Sequence, residues 1–158
     1  MDIGAWDGPL TFELERRGAY AVALDIQDPK RVGFDIARRI LGSNAIHYQG
    51  SVYQLQFDEM RDLDLVVMRG VYYHLKYPLL AFECEATSLK MGGLLCVEGE
   101  AMLHYGENLN GKPAQIDIQG INSLDVSVCL TYSNEYKGAP NWFIPNPAAV
   151  TNWLKACA

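Results

Sequence analysis

The residues of this chain best spaced for chemistry stand near its N-terminus, in the run Asp2-Ile3-Gly4-Ala5-Trp6-Asp7-Gly8. Gly4 and Gly8 bracket a tight turn ahead of a helical segment, where small residues and the free N–H groups of a helix N-terminus let a ligand approach the backbone. Seventeen residues beyond Gly8 an apolar run ends in Asp25, an acid placed to accept hydrogen bonds from the two hydroxyls of a ribose. Together the two features indicate a nucleoside-bearing ligand. The dinucleotide fingerprint G-x-G-x-x-G is absent, because Trp6 holds the position two after Gly4, so a nicotinamide-dependent oxidoreductase ranks last among the readings.

Two further loops carry candidates: Gly50-Ser51-Val52-Tyr53, and Arg69-Gly70-Val71-Tyr72-Tyr73-His74-Leu75-Lys76-Tyr77-Pro78. His74 fits either a general base near an acceptor or a helix-leading residue bonded to a loop carbonyl. Of the neighbours Tyr72 and Tyr73 one is expected to face the core, and Trp6 is expected to lie partly exposed at a pocket mouth. His47 and His104 have no partner at metal-ligand spacing, so no metal site is expected. Cys84, Cys96, Cys129 and Cys157 lack C-x-x-C spacing and read as buried thiols in a reducing compartment. The acidic pairs Asp58-Glu59 and Asp62/Asp64 read as solvated faces, while Arg16-Arg17 and Arg38-Arg39 fall near helix C-termini, where cations favour the dipole.

These loops need a scaffold, and the periodicity supplies one. Short apolar runs at Tyr20–Leu24, Ala45–Tyr48, Leu63–Met68 and Leu94–Val97 alternate with helical segments at 9–17, 32–41 and from Pro78 to Lys90, the last stopped by Met91-Gly92-Gly93. This is the pattern of an α/β domain whose parallel sheet is covered on both faces. The first strand has room only for Met1-Asp2-Ile3 and reads as cut short. Beyond residue 98 the chain is turn-rich, and the alternating stretches 115–119 and 124–130 predict an antiparallel hairpin.

The spacing D-x-G-x-x-x-G resembles motif I of the class I S-adenosylmethionine-dependent methyltransferases. With the G-V-x-Y-H run at Gly70–His74 and the segment Asn141-Trp142-Phe143-Ile144-Pro145-Asn146, the chain is similar to the tRNA wobble-uridine carboxymethyltransferase family. The resemblance implies a Rossmann-like sheet of parallel core order 3-2-1-4-5, with the closing strands missing or replaced by the hairpin. It implies S-adenosylmethionine as cofactor, held by Asp2, Gly4, Ala5, Trp6 and Gly8 from the first loop and by Asp25 and Ile26 from the second. Ser51 and Val52, then Arg69, Gly70 and Tyr73, complete that set, with Gly70 and Tyr73 bordering the sulfonium. Tyr72, His74 and Trp142 are implied on the acceptor side, Tyr73 and His74 being the candidates for a catalytic role. Members that use the carboxylated cofactor hold its extra carboxylate with basic residues from segments outside this core, so the unmodified cofactor is expected here.

The 158 residues predict one domain, with a core over 1–100 and a cover segment over 101–158. With 49% apolar and 20% charged residues the composition excludes disorder and coiled coil. A net charge of −6 disfavours direct binding of nucleic acid by this chain alone. No apolar run approaches the ~18 residues of a membrane span, and the first residues lack a basic leader, so the expected location is the cytoplasm. The expected partner is a small-molecule or nucleoside acceptor. A bare edge at strand five favours a homodimer. A methyltransferase fold trimmed at both ends and serving as a non-catalytic binding or assembly module is the rival reading.

Overall fold

A computed structural model describes residues 1–55, 60–102, 106–107, 113–114, 120–121, 126–132 and 140–157. His104, the pair Asp58-Glu59 and residues 115–119 and 122–125 of the expected hairpin lie outside the described residues. The chain divides into two compact units, Met1–Arg69 with Cys84–Glu98, and Gly70–Glu83 with Gly99–Ala158.

The first unit is built on five parallel strands: β1 (Asp2–Ile3), β2 (Val22–Asp25), β3 (Ile46–Gln49), β4 (Leu63–Arg69) and β5 (Leu89–Glu98). Their order is β3-β2-β1-β4-β5, the order expected from the sequence. The chain therefore reverses direction across the sheet between β1 and β4, the switch point where open α/β sheets bind ligands at the carboxyl ends of their strands. Although only two residues long, β1 is central: Asp2 pairs with Ala23 and Val67, Ile3 with Leu24 and Met68. All four residues of β2 are buried, as a strand covered on both faces requires.

Helix α1 (Pro9–Arg16) starts where the sequence places it, because proline is tolerated in the first turn. The expected helix over 32–41 is interrupted. Gly33 adopts φ 93°, which ends α2 (Pro29–Val32) and caps α3 (Phe34–Leu41). Phe34 of α3 packs on Phe12 of α1 with ring centroids 4.9 Å apart, over a floor of Ala5, Ala21, Ala23 and Ala45.

Helix α4 (Pro78–Ser88) stops two residues before the expected Lys90, and the chain passes directly into β5. Thr87 and Ser88 turn their hydroxyls back onto the carbonyls of Cys84 and Glu85 at this end. β5 thus begins five residues before the expected Leu94. Leu63 pairs with Leu89 and Leu65 with Leu94, so Asp64 alone faces residues 90–93 in a bulge. Gly92 and Gly93 serve this bulge: a Cβ at Gly93 would sit 2.8 Å from the Leu63 carbonyl oxygen.

In the second unit, β6 (Gly106–Glu107) pairs antiparallel with β7 (Pro113–Ala114), and β8 (Cys129–Thr131) with β9 (Phe143–Pro145). The described part of the expected second hairpin strand, 126–130, thus contributes Cys129 and Leu130 to β8, whose partner is β9. Helix α5 (Pro147–Ala156) follows, capped by Asn146. The Asn146 side chain is fully buried: it accepts from the N–H groups of Ala149 and Val128 and donates to the carbonyl of Val126. One amide therefore ties the helix start to the chain entering β8. Met102, Tyr132 and Ile144 form the core beside it.

Candidate functional site

In the first unit the loops after β1, β2 and β3 are joined at Asp25. Its carboxylate accepts the N–H of Trp6 at 2.8 Å on one oxygen and the N–H of Gln27 at 2.8 Å on the other. Its main-chain carbonyl accepts the N–H of Gly50, also at 2.8 Å. Asp25 is 7% exposed, and a carboxylate oxygen bonded once retains a second lone pair. Trp6 has φ 52°, a left-handed conformation that costs a non-glycine residue ~1–2 kcal/mol, and the bond to Asp25 holds it there. Its ring is 56% exposed and Ile26, next to the acid, is 67% exposed. An acid flanked by two solvent-facing apolar side chains suits a ligand with hydroxyls beside a flat ring.

The rest of this unit's candidates hold the frame. Asp2 is buried and accepts from the Thr11 hydroxyl at 2.6 Å, which pins β1 to α1, and burial pushes its carboxyl above the ordinary range. Gly4 at φ 73° donates to the Leu24 carbonyl, and Gly8 at φ 87° donates to the carbonyl of the buried Ala5. A Cβ at Gly8 would lie 2.6 Å from the Phe34 ring, so this glycine is required by packing as well as by its turn. Ser51 caps a short 3-10 turn reciprocally with Gln54, and Val52 is buried within it. Arg69, at the end of β4, pairs with Glu98 at the end of β5, 3.3 Å away. Sequence reasoning had not singled out Thr11 or Gln54. The S-x-x-Q spacing of Ser51 and Gln54 is a capping-box signal that could have found the last of these.

The second unit gathers the remaining candidates. A Cβ at Gly70, which has φ 70°, would lie 3.5 Å from the Tyr73 hydroxyl. The Trp142 N–H donates to the Tyr73 carbonyl at 2.8 Å, bringing the Asn141–Asn146 segment against the loop. Tyr72 is the buried member of its pair, its hydroxyl donating to the Glu100 carbonyl, and Tyr73 is half-buried with its ring edge-on to Tyr72. His74 Nδ1 lies 2.9 Å from the Pro140 carbonyl oxygen. A carbonyl can only accept, so Nδ1 is the donor of this bond and Nε2 is left outside it.

Residues 1–97 match the family described as methyltransferase domain. The chain belongs to this family. Two curated relatives carry the finer likeness. The tRNA U34 carboxymethyltransferase of Actinobacillus pleuropneumoniae is 26% identical over 160 residues, and that of Haemophilus ducreyi 27% over 160, each match covering 98% of this chain and 43% of the relative. The chain thus spans less than half the length of these relatives. Their names agree with the family resemblance carried by the first glycine loop, the Gly70–His74 run and the Asn141–Asn146 segment. Among solved structures, an S-adenosylmethionine-dependent methyltransferase from Mesorhizobium loti superposes with a TM-score of 0.70 at 16% identity, covering 99% of this chain and 71% of its own. Another from Clostridium acetobutylicum gives 0.64 at 12%, covering 98% and 70%. The cyclase SpnF also gives 0.64 at 12%, covering 99% of this chain and 48% of its own. The methyltransferase domain therefore has the class I methyltransferase fold. As the cyclase illustrates, fold alone does not fix the reaction.

Proposed function

We propose that the chain binds S-adenosylmethionine and transfers its methyl group to a small-molecule or nucleoside acceptor. The observation that carries this reading is Asp25: a buried acid at the end of β2 that orders the glycine loop through Trp6 and keeps an acceptor lone pair on each oxygen. Asp25 would take the ribose hydroxyls, Trp6 and Ile26 would cover the flat base, and Gly4 would let the cofactor approach the backbone. The bound cofactor supplies a methyl group activated on sulfur. The protein's own task is then to orient the acceptor in line with that group and to exclude water. The family resemblance assigns Gly70 and Tyr73 of the second unit to the sulfonium and His74 and Trp142 of the same unit to the acceptor, and where the acceptor must lose a proton His74 Nε2 is the group to take it. The names of the curated relatives support a nucleoside acceptor, and the net charge of −6 favours a small ligand over RNA for this chain alone.

The same reading takes the protein as cytoplasmic, which four free cysteines support, although of the four thiols expected to be buried only Cys84 is, Cys96 being exposed and Cys129 and Cys157 half-buried; no helix among the described residues is long and apolar enough to cross a membrane. It also takes the protein as a homodimer. In support, β5 is an outer strand of the sheet among the described residues, with Met91 fully exposed and Leu94 64% exposed. Titrating the nitrogen-15-labelled protein with S-adenosylhomocysteine tests the site: the amides of Gly4, Trp6, Ile26 and Ser51 should shift together. Shifts confined to other strand ends would refute the assignment.

A further inference from the structure

The second unit holds a cavity of about 370 Å³ that the reading above does not use. Its lining is apolar and rich in rings: Tyr77, Pro78, Leu79, Leu80, Phe143 and Trp153. Phe143 of β9 and Trp153 of α5 meet edge-on with centroids 6.1 Å apart, which sets two walls at a fixed angle. The volume lies within the range of small-ligand sites. Among the described residues of the lining, the one that carries a charge is Lys76. Its ammonium lies 5.6 Å from the Tyr77 ring centroid and 5.3 Å from that of Trp142, and it meets no carboxylate among the described residues. An exposed cation held over ring faces on the wall of an apolar slot, with no counter-ion among the described residues, is complementary to one kind of occupant.

We propose that this cavity binds a planar aromatic anion, its ring against Phe143 and Trp153 and its acidic group on Lys76. The negative group would replace water on the ammonium, while the ring removes apolar surface of Tyr77, Leu79 and Leu80, all exposed without a ligand, from solvent. A neutral ring would gain only the second contribution. A cation would be repelled.

The test uses charged and neutral ligand pairs of similar shape, indole-3-acetate against indole-3-acetamide and uridine 5′-monophosphate against uridine, added to the cofactor-free protein and followed by calorimetry. The expected result is that the anion of at least one pair binds about tenfold or more tightly than its neutral partner. The pair that responds tells a carboxylate from a phosphate source. In the exposed Lys76→Met variant the preference should vanish while the neutral ligand binds as before. Equal binding within both pairs, no binding of either anion at millimolar concentration, or a preference that survives in Lys76→Met would each overturn the proposal. Because no S-adenosylmethionine is present, the outcome is separate from that of the methyl-transfer reading.

Discussion

Glu85→Gln should stabilise the protein in alkaline solution and leave it almost unchanged in acid. The Glu85 side chain is fully buried on α4, on the face that also buries Ala81, Phe82 and Ser88, and neither carboxylate oxygen has a hydrogen-bond partner among the described residues. The nearby Ser88 hydroxyl is committed to the Glu85 main-chain carbonyl. Burial therefore pushes the carboxyl up to about 8 from an ordinary 4.5. Below 4.5 the folded and unfolded chains are both protonated there and the group costs nothing through ionisation. Between 4.5 and 8 the unfolded chain releases a proton that the folded chain keeps, so stability falls steadily with rising pH. At ~1.36 kcal/mol per pH unit the loss reaches about 3 kcal/mol at pH 7 and about 5 kcal/mol above pH 8. Glutamine preserves the shape and removes the titration. Urea unfolding of both proteins from pH 4 to 9 should give midpoints that nearly coincide at the acid end and diverge progressively, with the variant the more stable. Parallel curves across that range would refute the claim that Glu85 is buried and protonated.

Three other substitutions or measurements bear on the frame and the site. Asp25→Ala should weaken S-adenosylmethionine binding by ~1–3 kcal/mol, the cost of losing a charged hydrogen-bond partner, as read by fluorescence titration; unchanged affinity would remove Asp25 from the site. Gly8→Ala should cost ~2–4 kcal/mol in denaturant unfolding, because φ 87° disfavours a side chain and the new Cβ would collide with the Phe34 ring. Light scattering at micromolar concentration should give the mass of two chains, and Leu94→Lys on the exposed face of β5 should lower it toward one; a monomeric parent would contradict pairing through that edge.

Where sequence and structure agree, the physical signal is local. Pro9 can only begin a helix, Asp25 closes an uninterrupted apolar strand, and the order of strands follows from alternating short runs with helices. The departures come from tertiary demands. Gly92-Gly93 reads as a helix stop, but β4 offers Leu63 to pair with Leu89, and the glycines are needed where the bulge crowds the Leu63 carbonyl. Gly33 inside an otherwise continuous helical stripe has the left-handed backbone that divides α2 from α3. On α4 the hydropathy pattern misleads outright: Leu79 and Leu80 are exposed while Glu85 is buried, and no single residue signals that inversion. At the candidate site, the position of Asp25 at the end of β2 was legible because a strand-ending acid after a glycine loop is a pattern. Its hold on Trp6 depends on a left-handed backbone that sequence does not announce.

The central claim is that the strand ends of the first unit are a site for S-adenosylmethionine, and isothermal titration calorimetry tests it most directly. Titrations of the whole chain with S-adenosylmethionine, with S-adenosylhomocysteine and with oxidised nicotinamide adenine dinucleotide should give one site per chain for the first two and no heat for the third. Binding of the dinucleotide, or no binding of either adenosyl ligand by a folded protein, would contradict the account.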